Sequence, residues 1–277
     1  MANKIIEGEW IRMSQATSSN PLRVLAASVF VLMVTVNALA NILPINGVST
    51  GAVSDSFPNL FAPAGSTFAI WGLIYLWLAA FVVYQWGLFK VPSSISPKQM
   101  KTIELCFIIS SVANAAWIFA WHYYIMELTV LLMLVILLSL VIINMILTKT
   151  DLTRMDWLLV RLPFSIYFGW ITVATIANVT AYLVDLGWDG WGISPPAWTI
   201  VALLLGLVIS MATTLRNKDI AYGVVILWAY AGILNKHLSA AGFDGRYPGI
   251  IIAGSVSMLV MVLAIMMVAK KIIAARA

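Results

Sequence analysis

Asn37, Asn41, Asn114, Asn178 and Thr175 stand inside long apolar stretches, toward one end of each, while Asn144 stands toward the opposite end of its own. A polar side chain in such surroundings costs free energy unless a partner satisfies it. Two chemistries fit these amides: hydrogen bonds stitching helices together, worth about 0.6–2 kcal/mol each, or the polar edge of a ligand pocket. Aromatic rings accompany them. Of the 12 Trp in the chain, Trp71, Trp117, Trp170 and Trp228 fall a turn or more inside their apolar runs, where an indole face suits a flat apolar ligand and the N–H can reach a carbonyl or carboxylate. Trp86, Trp157, Trp188 and Trp191 sit at the ends of the runs and read as an aromatic belt at headgroup depth.

Other reactive chemistries find little support. Glu104 lies about one turn into its apolar run, and Arg161, at the start of another, is expected to neutralise it as a structural clamp. No paired carboxylates occupy the middle of a run, which argues against a proton-coupled pump or a carboxylate-based hydrolase. His122 and His237 have no acidic or cysteine neighbour at ligand spacing, so no metal site is assigned and both read as interfacial side chains with wet tips. Cys106 is the single cysteine, so a disulfide within one chain is excluded. Lys236, late in its run, lacks the nearby counter-ion that a retinal Schiff base would need.

The elements that carry these residues must be membrane helices. With 62% hydrophobic and 10% charged residues, and a mean hydropathy of +0.98, the chain lies far outside the range of water-soluble domains. Eight apolar segments, at about 22–43, 66–89, 101–122, 126–148, 157–184, 197–215, 219–238 and 248–269, each approach the ~20 residues needed to cross a bilayer. The expected architecture is an all-α polytopic bundle of about eight transmembrane helices with both termini cytoplasmic. That threading places 14 of the 16 Lys and Arg on the cytoplasmic side, from Lys4, Arg12 and Arg23 through Lys90 to Arg276, and leaves only Lys236 and Arg246 outside. Asp55, Glu127, Asp185, Asp189 and Asp244 fall on the outer side. The net charge of +5 therefore needs no nucleic-acid partner; it is the topology signal of a protein whose partner is the lipid bilayer. Residues 1–21 form a short polar tail without a cleavage site, which favours a bacterial inner membrane over an organellar one. The outer loop 44–65, punctuated by Pro44, Gly47, Gly51, Pro58 and Pro63, is the one connection long enough to fold over a ligand.

Several short motifs then occur in order. Phe61-Ala62-Pro63-Ala64 closes the long loop and is followed by Ile70-Trp71-Gly72 and Tyr75; Asn114-Ala115-Ala116-Trp117 precedes Phe119; Leu162-Pro163-Phe164 precedes Tyr167, Trp170 and Thr175. Residues 22–184 on this basis resemble the five-helix unit of the TspO/MBR family, the tryptophan-rich sensory proteins related to the peripheral benzodiazepine receptor. Residues 185–277 would add three further helices. Phe61 stands where the family has a loop tryptophan, Ala64 where it has a second proline and Tyr167 where it usually has Trp, so tryptophan-dependent chemistry on porphyrin is not carried over.

The resemblance implies a receptor- or sensor-like binding protein rather than an enzyme. Its ligand would be flat and hydrophobic, a tetrapyrrole such as protoporphyrin or haem or a sterol-like lipid, in a pocket beneath the first loop. No cofactor is otherwise implied. Phe61, Trp71, Tyr75, Trp117, Tyr167 and Trp170 would supply stacking area, Asn37, Asn41, Asn114 and Thr175 polar contacts, and Pro58 and Pro63 the stiffness of a lid. A small permease for the same kind of ligand is the alternative, with an intramembrane lipid-modifying enzyme ranked last. Pairing of two chains as a homodimer is compatible with either binding or transport.

Overall fold

A computed structural model describes residues 21–87 and 92–274. The polar tail before Pro21, and with it Lys4 and Arg12, as well as Lys90 and Arg276, lie outside the described residues. Among those described, every regular element is helical: α1 (Pro21–Ile42), α2 (Thr50–Ser56), α3 (Ile70–Gln85), α4 (Pro97–His122), α5 (Met126–Leu147), α6 (Arg154–Asp185), α7 (Pro195–Asn217), α8 (Ile220–Leu238) and α9 (Pro248–Ala274). Local chemistry sets their ends. Ser96 and Gln99 close a capping box at the start of α4, with Pro97 in the first turn, where its missing N–H costs nothing. Lys218 adopts a left-handed φ of 50° and ends α7, and the Asp219 side chain accepts from Tyr222 N to start α8. Inside α6 the turn Trp157–Arg161 widens to a π-helix just before Pro163, whose ring would otherwise press on the carbonyl of the preceding turn.

Seven helical spans are long and apolar enough to cross a membrane: α1, the Gly65–Gln85 unit formed by a 3₁₀ turn running into α3, α4, α5, α6, α7 and α9. The protein is thus a multi-pass integral membrane protein. The eighth expected segment, α8, falls short on composition because it ends in Asn235-Lys236-His237. Its geometry nevertheless runs end to end. At 19 residues it is about 28 Å long; it starts beside Ser165, which donates to Asp219 (2.5 Å), and finishes at the long loop, where His237 Nε2 donates to Leu60 O (2.8 Å). Packing explains the composition: α8 is wedged between α6 and α9, so it needs less apolar surface than a helix facing lipid.

Contacts at the two ends separate as the charge pattern requires. On the basic side, Gln99 Nε2 donates to Thr150 Oγ1 (2.9 Å), Asn217 Nδ2 to Asn144 Oδ1 (2.7 Å) and Arg161 Nη2 to Asn217 O (2.6 Å). Glu104, in the same half, is buried with Arg23 Nε 3.7 Å away. The expected Glu104–Arg161 clamp is therefore incorrect: α4 packs on α1, which carries Arg23, whereas Arg161 faces the α7–α8 turn. Asp156, which sequence reasoning passed over, is fully buried at the start of α6. Its carboxylate accepts from Tyr84 Oη (2.8 Å), Ser93 Oγ (2.7 Å), Ser94 N and Oγ (both 2.9 Å) and Thr153 Oγ1 (2.8 Å), which ties the α3–α4 connection to the bundle.

Two layers result. α1, α3, α4, α5 and α6 form one bundle, and α7, α8 and α9 pack on one another and join it through α6 and α8. That join needs close approach. A Cβ on Gly169 of α6 would sit 2.9 Å from both Tyr222 O and Val225 Cβ of α8, so glycine is what lets these two helices touch.

Candidate functional site

In the outer half of the first bundle, α1, α4 and α6 each place one polar group at a common point. Asn37 Nδ2 donates to Asn114 Oδ1 (2.8 Å), and Asn114 Nδ2 donates to Tyr167 Oη (3.2 Å); all three residues are buried. Asn37 also donates to Met33 O one turn back (2.9 Å), which sets the orientation of its amide. The amides are therefore fixed by one another rather than by solvent.

Rings close around this chain. Trp71 stacks on Tyr75 (centroids 5.5 Å apart) and meets Tyr167 (6.0 Å) and Trp170 (6.2 Å) edge-on, and Phe68 meets Trp170 at 5.7 Å. One helical turn beyond Asn114, Trp117 stacks on Trp121 at 5.1 Å. Tyr75 Oη and Trp170 Nε1 in this group, and Trp117 Nε1 in the separate Trp117–Trp121 stack, are buried and have no hydrogen-bond partner among the described residues. Buried donors are nearly always satisfied, so the two that flank Trp71 are an unmet demand for acceptors.

Not every residue singled out from the sequence joins this group. Asn41 is exposed and donates to Asn37 O in its own helix (3.0 Å). Phe61 is fully buried within the loop, where its N–H donates to Asn59 Oδ1 (2.8 Å), and Pro63 is buried beside it. Trp228 is exposed on α8, its N–H donating to Thr67 O (2.9 Å), so it faces outward rather than into a pocket. Thr175 and Pro58 instead line a separate cavity of about 430 Å³ between the outer halves of α6 and α7, along with Leu60, Val179, Leu183, Trp188, Trp198 and Ala202. The expectation that all the deep indoles and amides share this one space fails, because α6 turns Tyr167 and Trp170 toward α3 and α4 but Thr175, Val179 and Leu183 toward α7.

The loop over these groups is pinned from two directions. His122, fully buried, donates from Nδ1 to Ile45 O (3.0 Å) and accepts at Nε2 from Thr50 Oγ1 (3.0 Å), while Trp121 Nε1 donates to Thr50 O (3.1 Å). From α8, His237 holds Leu60 O, Gly232 O accepts from Ala64 N (3.0 Å), and Lys236 Nζ pairs with Asp55 at 2.8 Å. Both histidines are buried anchors of the loop rather than wet interfacial tips, and Lys236 has a counter-ion there in Asp55.

With this geometry established, the comparison with protein families is decisive: a family model described as TSPO-like protein matches residues 23–268. The chain belongs to the TSPO-like protein family. No curated protein and no solved structure shows a significant match. The TSPO-like match does not stop at residue 184 but runs from α1 into α9, across the seven apolar spans and α8. In this TSPO-like chain the later helices also bear on the first bundle directly, since α8 supplies three of the loop's anchors.

Proposed function

We propose that this TSPO-like membrane protein is a receptor- or sensor-like binder of a flat hydrophobic ligand, a tetrapyrrole being the class that suits it best. One observation carries the reading: Tyr75 and Trp170 each offer a buried polar hydrogen with no acceptor among the described residues, in the ring group around Trp71 whose Tyr167 ends the Asn37–Asn114–Tyr167 chain, and Trp117, one turn beyond Asn114, offers a third. A planar macrocycle edged with carboxylates matches both needs, because its faces take ring contacts and its acid groups accept hydrogen bonds. The rings of this group touch one another, so entry requires Trp71 to part from Tyr167 or Trp170, and the anchored 44–65 loop limits how far the bundle opens.

The test is a protoporphyrin titration of the full chain in nanodiscs, followed by tryptophan quenching and by the shift of the porphyrin absorbance band. Saturable binding is expected, weakened several-fold in Trp170→Phe and Trp117→Phe, which keep a ring and remove only the N–H. Absence of saturation, or equal affinity in both variants, removes the reading. Flux of the porphyrin in proteoliposomes would favour the permease alternative.

A further inference from the structure

The cavity between α6 and α7 belongs to neither the polar chain nor the rings that surround it. Its volume of about 430 Å³ is within the range of small-molecule sites. Aliphatic side chains make most of the wall, and the hydroxyls and amide that reach it are already engaged: Thr175 donates to Ile171 O (2.7 Å), Thr180 to Ala177 O (2.8 Å) and Asn59 to Thr180 Oγ1 (2.7 Å). One residue on the wall carries a formal charge, Asp189, and it is negative. It is exposed at the outer mouth, next in the chain to Trp188, whose ring centroid lies 5.1 Å from that of Trp198, and Trp191 meets both rings edge-on at 5.3 and 5.9 Å.

That mouth is a built structure. The loop turns through left-handed Gly187, Gly190 and Gly192, and Trp191 also takes a positive φ of 54°, an unfavourable backbone for a bulky residue. Trp198 Nε1 donates to Gly190 O (2.9 Å), and glycine suits that position because its φ is +67° and a Cβ there would crowd the same nitrogen at 3.1 Å. Asp189 Oδ1 accepts from Trp191 N (2.9 Å), which points its carboxylate along the loop. The other carboxylate oxygen accepts no hydrogen bond among the described residues.

The geometry points to a second binding site, for a lipophilic cation: an apolar body in the α6–α7 cavity with its positive centre between Asp189 and the indole faces of Trp188 and Trp198. Ring quadrupoles and a carboxylate both favour positive charge, and the apolar wall rejects small hydrated ions by refusing to replace their water. The same carboxylate repels a carboxylate-edged tetrapyrrole, so the two sites select opposite charges. This site stands whether or not the aromatic group binds porphyrin.

Two probes of matched size and opposite charge test it on the full chain in nanodiscs, with empty nanodiscs as background. Tetraphenylphosphonium is expected to bind saturably at one site per chain, and tetraphenylborate not to. Asp189→Asn keeps the acceptor for Trp191 N but removes the charge, and should weaken the cation about two- to fivefold, the scale of an exposed ion pair. Ala202→Phe fills the cavity and should abolish saturable binding; Ala202→Leu, a smaller intrusion, should weaken it if the phenylalanine variant does not fold. Tetraphenylborate binding as tightly as tetraphenylphosphonium, or an unchanged cation affinity in Asp189→Asn, overturns the site. Protoporphyrin affinity should be unaltered by Asp189→Asn, which separates failure here from failure at the aromatic group.

Discussion

Asn114→Leu removes two buried hydrogen bonds at nearly constant side-chain volume, and so isolates what the polar chain contributes to the bundle. Asn114 accepts from Asn37 at 2.8 Å and donates to Tyr167 at 3.2 Å. Interhelical hydrogen bonds in membrane proteins average about 0.6 kcal/mol and reach about 1.7, so the loss should be about 1–2 kcal/mol. The lower end is favoured by one detail: Asn37 keeps its bond to Met33 O and is not orphaned. Equilibrium unfolding in mixed micelles measures the total, and a double-mutant cycle with Tyr167→Phe measures the longer bond alone, expected near 0.6 kcal/mol. A second cycle with Asn37→Ala should give more, since that bond is shorter. Coupling below about 0.3 kcal/mol in both cycles would refute the hydrogen-bonded chain, and with it the claim that these amides are held in place for a ligand.

The remaining expectations concern how the outer loop and the threading are held. A Cβ at Gly232 would lie 2.1 Å from Thr67 Oγ1, so Gly232→Val should destabilise by about 1–3 kcal/mol, and Thr67→Gly should restore part of that loss; thermal unfolding of the single and double variants decides it. Lys236→Met removes a pair whose acid is largely exposed, so the melting temperature should barely move, while hydrogen exchange across 44–65 should quicken. Equal exchange would show that His237 and the Gly232 carbonyl suffice. In a Cys106→Ser background, cysteines at Asp185 and Asp244 should react with an impermeant thiol reagent in intact cells and one at Lys149 should not; the reverse pattern inverts the threading.

Much of the architecture was legible without coordinates, for a reason specific to lipid. Hydrocarbon leaves no partner for a bare backbone, so each crossing must be a helix of about 20 apolar residues, and runs of that length are plain in the chain. Pro97 and Pro195 mark helix starts within a few residues of the expected ones because a missing N–H is tolerated in the first turn. The motifs around Trp71, Asn114 and Leu162 likewise sufficed to point to the family. Which residues meet is another matter. In water a helix advertises its buried face by contrast with a polar one, but here lipid-facing and protein-facing sides are both apolar, and the pattern carries little contrast. Asn41 and Asn114 look alike in the chain, yet one is exposed and the other links three helices. Only the packing of α4 against α1 decided that Glu104 meets Arg23, only the five hydroxyl and amide donors converging on Asp156 revealed that acid, and only the turn of α6 between two neighbours put Tyr167 among rings and Thr175 in a cavity. Length and apolar composition set which segments can cross; face-to-face contact, which apolar sequence does not encode by periodicity, set which side chains meet.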